Sequence, residues 1–346
     1  MFAYFFMLLL PLSMANICSR RLNANGRLGV WAFFILLLIF SGLRDGVGPD
    51  WSGYENIYDL YLDDRIWDFS NYAEPGFFLI NKLSEAAGLG LYGVMFFCAF
   101  AFLWGVFSFA LRTANPWMAI AVVVPYLVYV VSMSGIRQAA AIGFSFYMLS
   151  KWRESSTLAK VSWILLAISF HNSAAIFLIF VIVSIKARLI VKVPVIFAVG
   201  LLLIYGLNET DSYAKYQSVY IQQNIESGGA YLHILLSALP AALYLWQRKK
   251  IIRAVELHPA IDLAAYMAIA AMFLVPFSST GVDRLALHFS FLQMWIYPAF
   301  VRAFGANAGT LKLLVSVLVL SVFFGYFLLG THAFAYLPYN NVIFNL

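Results

Sequence analysis

The chain has 346 residues, of which 63% are hydrophobic, 18% are aromatic and only 11% are charged. A chain with so little polar surface cannot cover a water-soluble globule of this size, so the composition excludes a soluble protein and indicates an integral membrane protein. The net charge of +6 comes from small basic clusters beside apolar segments, which fits membrane topology and argues against a nucleic-acid partner.

Apolar segments of the length that crosses a bilayer recur along the whole chain, at roughly 20 residues each. Apolar and polar residues alternate only weakly with a period of two, which argues against an outer-membrane β-barrel. We predict one all-α membrane domain over residues 1–346, with about ten crossings and an uncleaved first helix. The crossings are expected near residues 2–18, 28–43, 91–111, 116–133, 137–151, 189–207, 230–247, 260–278, 284–303 and 310–330.

Charge asymmetry between the loops predicts the orientation. Arg20, Arg21 and Arg27 follow the first apolar segment and mark that loop as cytoplasmic, because basic residues are retained on the inner side. The acidic stretch at 44–90 and the polar stretch at 208–229 are then external loops. Within the first of them, "EPGFFLINKLSEAAG" is apolar but short, which predicts a helix that lies at the outer surface or dips partly inward.

One segment does not fit simple alternation of crossings. "KVSWILLAISFHNSAAIFLIFVIVSIKARLIVK" has basic residues at both ends, so a single crossing would place one basic cluster on the wrong side. We predict that the chain turns back at His171-Asn172-Ser173 and forms a broken or re-entrant helix pair. Such breaks are tolerated where they line a cavity. The basic residues concerned are Lys160, Lys186, Arg188 and Lys192.

Ionisable groups within or at the ends of membrane helices are costly, so they are candidates for function. On the predicted topology, all of them map to the outer side or to a cavity reached from it. Arginine binds phosphates through its planar fork, so this set suits a lipid-linked phosphate or pyrophosphate, with a carboxylate or imidazole as general base. The candidates are Arg44 with Asp45, Asp50, Arg137, His171, and Asp283 with Arg284.

Each candidate has a structural alternative. Arg44 and Arg284 are also explained as interfacial arginines that pair with the adjacent aspartate. His171 is alternatively a packing histidine, and Asp50 and Glu74 are alternatively solvated acids. The chain has no HExxH motif, no spaced Cys/His set and no phosphate-binding glycine loop, so we expect neither a metal nor a cofactor.

Five stretches together resemble the EpsG family of bacterial exopolysaccharide proteins, which belongs with the Wzy-type polysaccharide polymerases. "LRDGVGPDWSGYENIY" is similar to that family's R-x-G-x-G-x-D-Y-x-x-Y stretch, and "EPGFFLIN" to its E-P-G-F segment. "GIRQAAAIGF" resembles its I-R-Q-x-x-A motif, "SFHNSA" its F-H-x-S-A motif, and "DRLALHF" its R-x-x-x-Y-F motif. The matches follow the family order over residues 43–291. Trp51 and His288 depart from the family's tyrosines.

The resemblance implies a GT-C-like glycosyltransferase in the bacterial inner membrane, with its active site facing the periplasm or the cell exterior. It would join undecaprenyl-pyrophosphate-linked repeat units into O-antigen, capsule or exopolysaccharide. The expected partners are the lipid-linked glycan donor and acceptor, the bilayer, a chain-length regulator and a flippase.

The resemblance also implies roles for individual residues. Pyrophosphate and sugar would be held by Arg44, Arg137, Gln138, Arg284, Tyr54 and Glu74. Arg137 and Arg284 would stabilise the departing pyrophosphate, and either His171 or Asp50 would activate the acceptor hydroxyl.

Three other functions remain open. A lipid-linked-sugar flippase or transporter would also use broken helices, although such folds commonly have paired halves and this sequence has no visible repeat. A glycosyltransferase that adds single sugars from a lipid-phosphate donor would use the same chemistry. A membrane acyltransferase that uses His171 is a weaker alternative, because it would leave the outer arginines without a role.

Overall fold

A computed structural model describes residues 1–18, 22–185 and 229–344, together with isolated positions between 186 and 194. The predicted crossing near 189–207 and the predicted loop at 208–229 lie largely outside the described residues. So does Lys186 of the basic cluster that suggested a turn at His171.

The regular secondary structure of the described residues is helical, apart from one isolated bridge between Arg44 and Asn341. Capping residues start several helices: Asn23 caps α2, and Asn115 caps α6, in which Pro116 is the first residue. The helices are α1 (Phe2–Ile17), α2 (Ala24–Gly42), α3 (Trp51–Leu62), α4 (Pro75–Ala86), α5 (Gly90–Ala110), α6 (Pro116–Ser134), α7 (Ile136–Ser150), α8 (Thr157–Ile168), α9 (Phe177–Ser184), α10 (Ala230–Ala254), α11 (Ile261–Leu274), α12 (Ser279–Leu287), α13 (Phe291–Ala303) and α14 (Ala308–Leu329).

Five helical segments among the described residues are long and apolar enough to cross a membrane. They are α2, α5, α6, α10 and the segment Gly305–Leu329 that contains α14. The chain is therefore a helical membrane protein, as predicted. Two other predicted crossings, at 2–18 and 260–278, are the shorter apolar helices α1 and α11, so hydropathy alone does not establish ten crossings.

The predicted crossing at 284–303 coincides with two helices joined by a 3-10 turn. The structure begins a helix earlier, at Ser279, and interrupts it with a 3-10 turn at His288–Ser290 before α13 starts. His288 is completely buried at this turn, and its imidazole hydrogen-bonds to Ser173. The break thus directs a polar side chain into the protein.

The predicted loop at 44–90 is folded. It contains α3, a 3-10 turn at Ile66–Asn71, and α4. The helix predicted in "EPGFFLINKLSEAAG" is confirmed as α4, and Pro75 occupies its first turn, where a missing N–H has no cost.

The predicted break at His171 is present. α8 ends at Ile168, His171 is extended with φ −159° and ψ 123°, and a 3-10 turn at Asn172–Ile176 leads into α9. Helices α8 and α9 contact each other, so the chain does turn back on itself. We refer to α8, the turn and α9 as the hairpin.

Helices α5 and α7 form the most extensive helix pair in the structure. Gly105 and Gly143 face each other where the two backbones cross. A Cβ atom on Gly143 would overlap the Ala101 carbonyl oxygen, and one on Gly105 would overlap the Gly143 carbonyl oxygen. Small residues allow this close approach, as is common between membrane helices. The contact holds α7, whose first turn carries Arg137, against α5.

The C-terminal segment packs against the end of α2. The Gly48 amide donates to the Ala335 carbonyl at 2.9 Å, and the Val342 amide donates to the Leu43 carbonyl at 2.9 Å. The hydroxyl of the buried Tyr4 in α1 donates to the Tyr336 carbonyl at 3.0 Å. Both ends of the described chain are thereby joined to the loop that follows α2.

Candidate functional site

Most of the predicted site residues lie at one end of the helical bundle. Helices α2 and α6 end there, and α5, α7 and α13 begin there. The hairpin turn and the N-terminus of α4 reach the same region, because the Gly76 amide donates to the Ser169 carbonyl at 2.8 Å. We call this the site end and the opposite one the basic end.

Arg137 lies in the first turn of α7 and forms the centre of the cluster. Its Nη1 donates to a Glu74 carboxylate oxygen at 2.5 Å, and its guanidinium also hydrogen-bonds to the Tyr54 hydroxyl. The guanidinium lies 5.7 Å from the centroid of the Phe77 ring, within cation–π range. Because 36% of the side chain is still exposed, Arg137 keeps donors that a ligand can reach.

Glu74 is held in place by the start of α4. A Cβ atom on Gly76 would overlap the Ser169 hydroxyl and the Phe170 ring, so only glycine lets the helix dock this closely on the hairpin turn. The Glu74 side chain is only 12% exposed. Its carboxylate also accepts a hydrogen bond from the Asn172 backbone amide. Burial raises the pKa of the Glu74 carboxyl, and the Arg137 guanidinium opposes that rise. Glu74 is therefore not a solvated surface acid.

Arg284 joins the cluster from α12. Its carbonyl oxygen accepts a hydrogen bond from Gln138 Nε2 at 2.6 Å, which ties the last turn of α12 to the first turn of α7. The Arg284 guanidinium lies within electrostatic range of both Glu74 and His171. The structure thus brings together residues that are separated by more than 200 positions in the sequence. In this arrangement Gln138 positions Arg284.

His171 and His288 are linked through a serine. The Ser173 hydroxyl lies 2.6 Å from His171 Nδ1 and 2.7 Å from His288 Nε2. The Ser173 backbone amide also donates to His171 Nδ1 at 3.3 Å. Because that nitrogen accepts an N–H, the proton of the neutral His171 ring is on Nε2.

The same tautomer accounts for His288. If Ser173 donates its hydroxyl proton to His171, then His288 Nε2–H donates to the serine oxygen. His288 Nδ1 is then a bare acceptor, and this atom is buried without a hydrogen-bond partner among the described residues. The opposite tautomer would leave a buried donor there, which costs more than an unsatisfied ring nitrogen.

Asp50 and Tyr54 lie at the edge of the cluster. Asp50 precedes α3 and accepts a hydrogen bond from the Ser134 hydroxyl at 2.5 Å, which joins α3 to the end of α6. Tyr54 is 6% exposed and interacts electrostatically with both Asp50 and Arg137. The Asp50 side chain is exposed to solvent, so it forms an accessible rim of the cluster.

Arg44 is placed differently from the other predicted arginines. Its side chain is 1% exposed and donates to the carbonyl oxygens of Ser41, Val47 and Met133 at 2.6, 3.1 and 2.8 Å. Burial lowers the pKa of Arg44 to about 10, which still leaves it charged at neutral pH. Since its donors bond to the backbone, the geometry favours a structural role over pyrophosphate binding.

Asp45 and Asp283, which are adjacent to the predicted arginines Arg44 and Arg284, also interact with side chains of other elements. Asp45 accepts hydrogen bonds from the Tyr92 hydroxyl at 2.7 Å and from Asn340 Nδ2 at 3.1 Å. Asp283 lies 3.1 Å from His233 Nδ1, which connects α12 to α10. Both aspartates therefore contribute to contacts between elements.

Two residues of the cluster were not among the predicted site residues, namely Ser173 and His288. Ser173 lies two positions after His171 in "SFHNSA". A serine hydroxyl so close to a candidate imidazole could have indicated that the two side chains hydrogen-bond. His288 lies 115 residues further along, and only the helix break at its position brings it to Ser173.

Comparisons with known proteins agree with the order of the sequence motifs. The model of the EpsG family matches residues 29–341, nearly the whole chain. Comparison with curated proteins gives no match, and comparison with solved structures gives none either.

The buried position of Arg44 yields a testable prediction. Arg44→Gln removes the donors from three carbonyl oxygens and is expected to destabilise the protein by about 2–4 kcal/mol, because buried acceptors would be left unpaired. The measurement is the thermal unfolding temperature of the purified protein in detergent. Arg65→Gln is the control, since the Arg65 side chain is 81% exposed and this change should leave that temperature unchanged. An unaltered unfolding temperature for Arg44→Gln would contradict the structural role.

Proposed function

Because the chain belongs to the EpsG family, we propose that it is a polysaccharide polymerase of the bacterial inner membrane. It joins oligosaccharide repeat units that are carried on undecaprenyl pyrophosphate, at the periplasmic or outer face. The observation that carries this proposal is the cluster of Arg137, Arg284, Glu74 and His171 at one end of a membrane-embedded bundle. Two guanidinium groups at the end of membrane helices suit a phosphate whose lipid tail stays in the bilayer.

The proposed reaction transfers a glycan from one lipid carrier to another. The acceptor hydroxyl, on the terminal sugar of a lipid-linked unit, attacks the anomeric carbon of the donor glycan. A new C–O glycosidic bond forms, the bond between that carbon and the pyrophosphate oxygen breaks, and undecaprenyl pyrophosphate leaves with the bonding electrons. Negative charge therefore grows on the pyrophosphate, where preorganised positive charge is most effective.

Arg137 and Arg284 are the residues proposed to meet that charge. Glu74 and Tyr54 hold Arg137 in one orientation, so little reorganisation is needed when pyrophosphate binds. Gln138 fixes the end of α12 and thereby Arg284. A guanidinium cannot be deprotonated near neutral pH, which suits a site that needs constant positive charge.

The acceptor hydroxyl must lose a proton, and the site offers two groups for that task. In the tautomer described above, His171 Nε2 already carries a proton, so His171 acts as a hydrogen-bond donor to a phosphate or sugar oxygen. The Asp50 side chain is exposed to solvent and within reach of a sugar hydroxyl at the rim of the cluster, so the proton passes to its carboxylate. Ser173 and His288 are positioning residues that hold the His171 ring.

The proposed function predicts a specific cellular phenotype. A strain that lacks the gene should display single repeat units on its surface polysaccharide and lose the long-chain ladder on gels. Arg137→Ala and Arg284→Ala should each shorten the chains in the same way while the protein remains inserted, whereas Arg65→Ala should restore the full ladder. Loss of even the single repeat would indicate a flippase or an assembly transferase, and a wild-type ladder from both arginine variants would remove them from the site.

The assignment of the proton acceptor predicts different results at His171 and Asp50. The amide nitrogen of glutamine lies near the position of Nε2 in histidine, so His171→Gln keeps a donor and should retain partial chain extension, well above His171→Ala. Asp50→Asn keeps the shape but removes the base and should lower extension by roughly 100-fold or more. The rate of ladder formation in isolated membranes, supplied with lipid-linked repeats from the deletion strain, tests both. If His171→Gln and His171→Ala lost chain extension equally while Asp50→Asn stayed active, the result would identify His171 as the base.

A further inference from the structure

A cavity of about 410 Å³ lies at the basic end, opposite the candidate site. It is enclosed by the ends of α5, α10 and α13 and by the beginnings of α2 and α6. Three arginines on different elements line it: Arg27 in α2, Arg112 just after α5, and Arg302 in the last turn of α13. The wall between them is formed partly by Trp295.

The charges around this cavity are not balanced. Arg112 forms an ion pair with Glu154 at 2.7 Å, and Glu256, the one carboxylate that lines the cavity among the described residues, pairs with Arg153. Arg27 and Arg302 make neither an ion pair nor a side-chain hydrogen bond with any residue in the described part of the chain. Two guanidinium groups therefore remain available to an anion.

A second cavity of about 430 Å³ adjoins the first and shares Arg27, Leu111 and Arg112 with it. Its walls include Trp31 and Trp104, whose ring centroids lie 5.2 Å apart. Trp104 is 39% exposed and, like Trp31, belongs to a helix that is long and apolar enough to cross a membrane. Tryptophan at a helix end prefers the level of the lipid headgroups. The two cavities thus form a groove that is cationic at one end and aromatic at the other.

We propose that this groove binds an anionic phospholipid. Its phosphodiester would lie between Arg27 and Arg302, and an acyl chain would follow the Trp31 and Trp104 rings. The planar guanidinium fork matches phosphate oxygens, and basic pockets between membrane helices are suited to anionic lipid headgroups. The aromatic half of the groove favours a lipid over inorganic phosphate. Inorganic phosphate would contact only the arginines, whereas the acyl chain of a lipid would also cover the Trp31 and Trp104 rings. The lipid would join α2 to α13 at the basic end, and this binding is independent of the sugar chemistry at the site end.

Native mass spectrometry of the purified protein tests the proposal, with phosphatidylglycerol, phosphatidylcholine and inorganic phosphate added separately. Phosphatidylglycerol should remain bound, while phosphatidylcholine and phosphate should not. The double variant Arg27→Gln/Arg302→Gln should lower the affinity for phosphatidylglycerol roughly tenfold. The matched control is Lys249→Gln/Arg253→Gln, which removes two exposed charges from the end of α10 outside the groove and should retain wild-type affinity.

Three results would overturn the proposal. Equal retention of phosphatidylcholine would show that the headgroup charge is irrelevant, and equal retention of inorganic phosphate would identify an ion site without a lipid. Equal weakening in the control variant would indicate general attraction to the basic end.

A second measurement covers the case in which the double variant fails to fold. Brominated phosphatidylglycerol should quench the tryptophan fluorescence of the wild-type protein more than brominated phosphatidylcholine does. Trp31→Phe/Trp104→Phe should abolish that difference. An equal effect of the two lipids on the wild-type protein would contradict the proposed site.

Discussion

The ion pair between Glu74 and Arg137 is the contact on which the candidate site depends. A carboxylate that is 12% exposed needs a charged or hydrogen-bonding partner, and removing one member of such a pair leaves an uncompensated charge. The pair joins α4, which lies in the long excursion after α2, to the first turn of α7. Since α4 also docks on the hairpin turn through Gly76, these two contacts together align three separate parts of the chain. The proposed substrate site lies where these parts meet.

Much of the fold was predictable because the bilayer imposes a strong constraint on sequence. The positions of α2, α5 and α6 follow from apolar length, and the break at His171 follows from basic residues on both sides of one apolar segment. The break at His288 was not predictable in this way. At this break His288 hydrogen-bonds to Ser173, a partner 115 residues away, and such a distant contact leaves no signal in local hydropathy.

The site was predictable in part, and Arg44 shows why the rest was not. From the sequence, Arg44, Arg137 and Arg284 are predicted to act together, since all three lie at helix ends on the same side. The structure brings Arg137 and Arg284 to Glu74, but it surrounds Arg44 with backbone carbonyls, one of them from Met133 at the end of α6. Which acceptors surround a buried arginine depends on tertiary packing, so arginines of similar sequence context differ in role. Glu74 is the opposite example: its sequence context is that of a solvated acid, but α4 and the hairpin bury it within the site.

The polymerase function requires that the chain itself join lipid-linked repeat units, which reconstitution tests directly. The purified protein would be placed in liposomes with lipid-linked single repeats from the deletion strain and no other protein. The polymerase function predicts glycans of two or more repeats, with one undecaprenyl pyrophosphate released for each linkage formed. Repeats that cross the bilayer without elongation, or elongation without release of the lipid pyrophosphate, would contradict it.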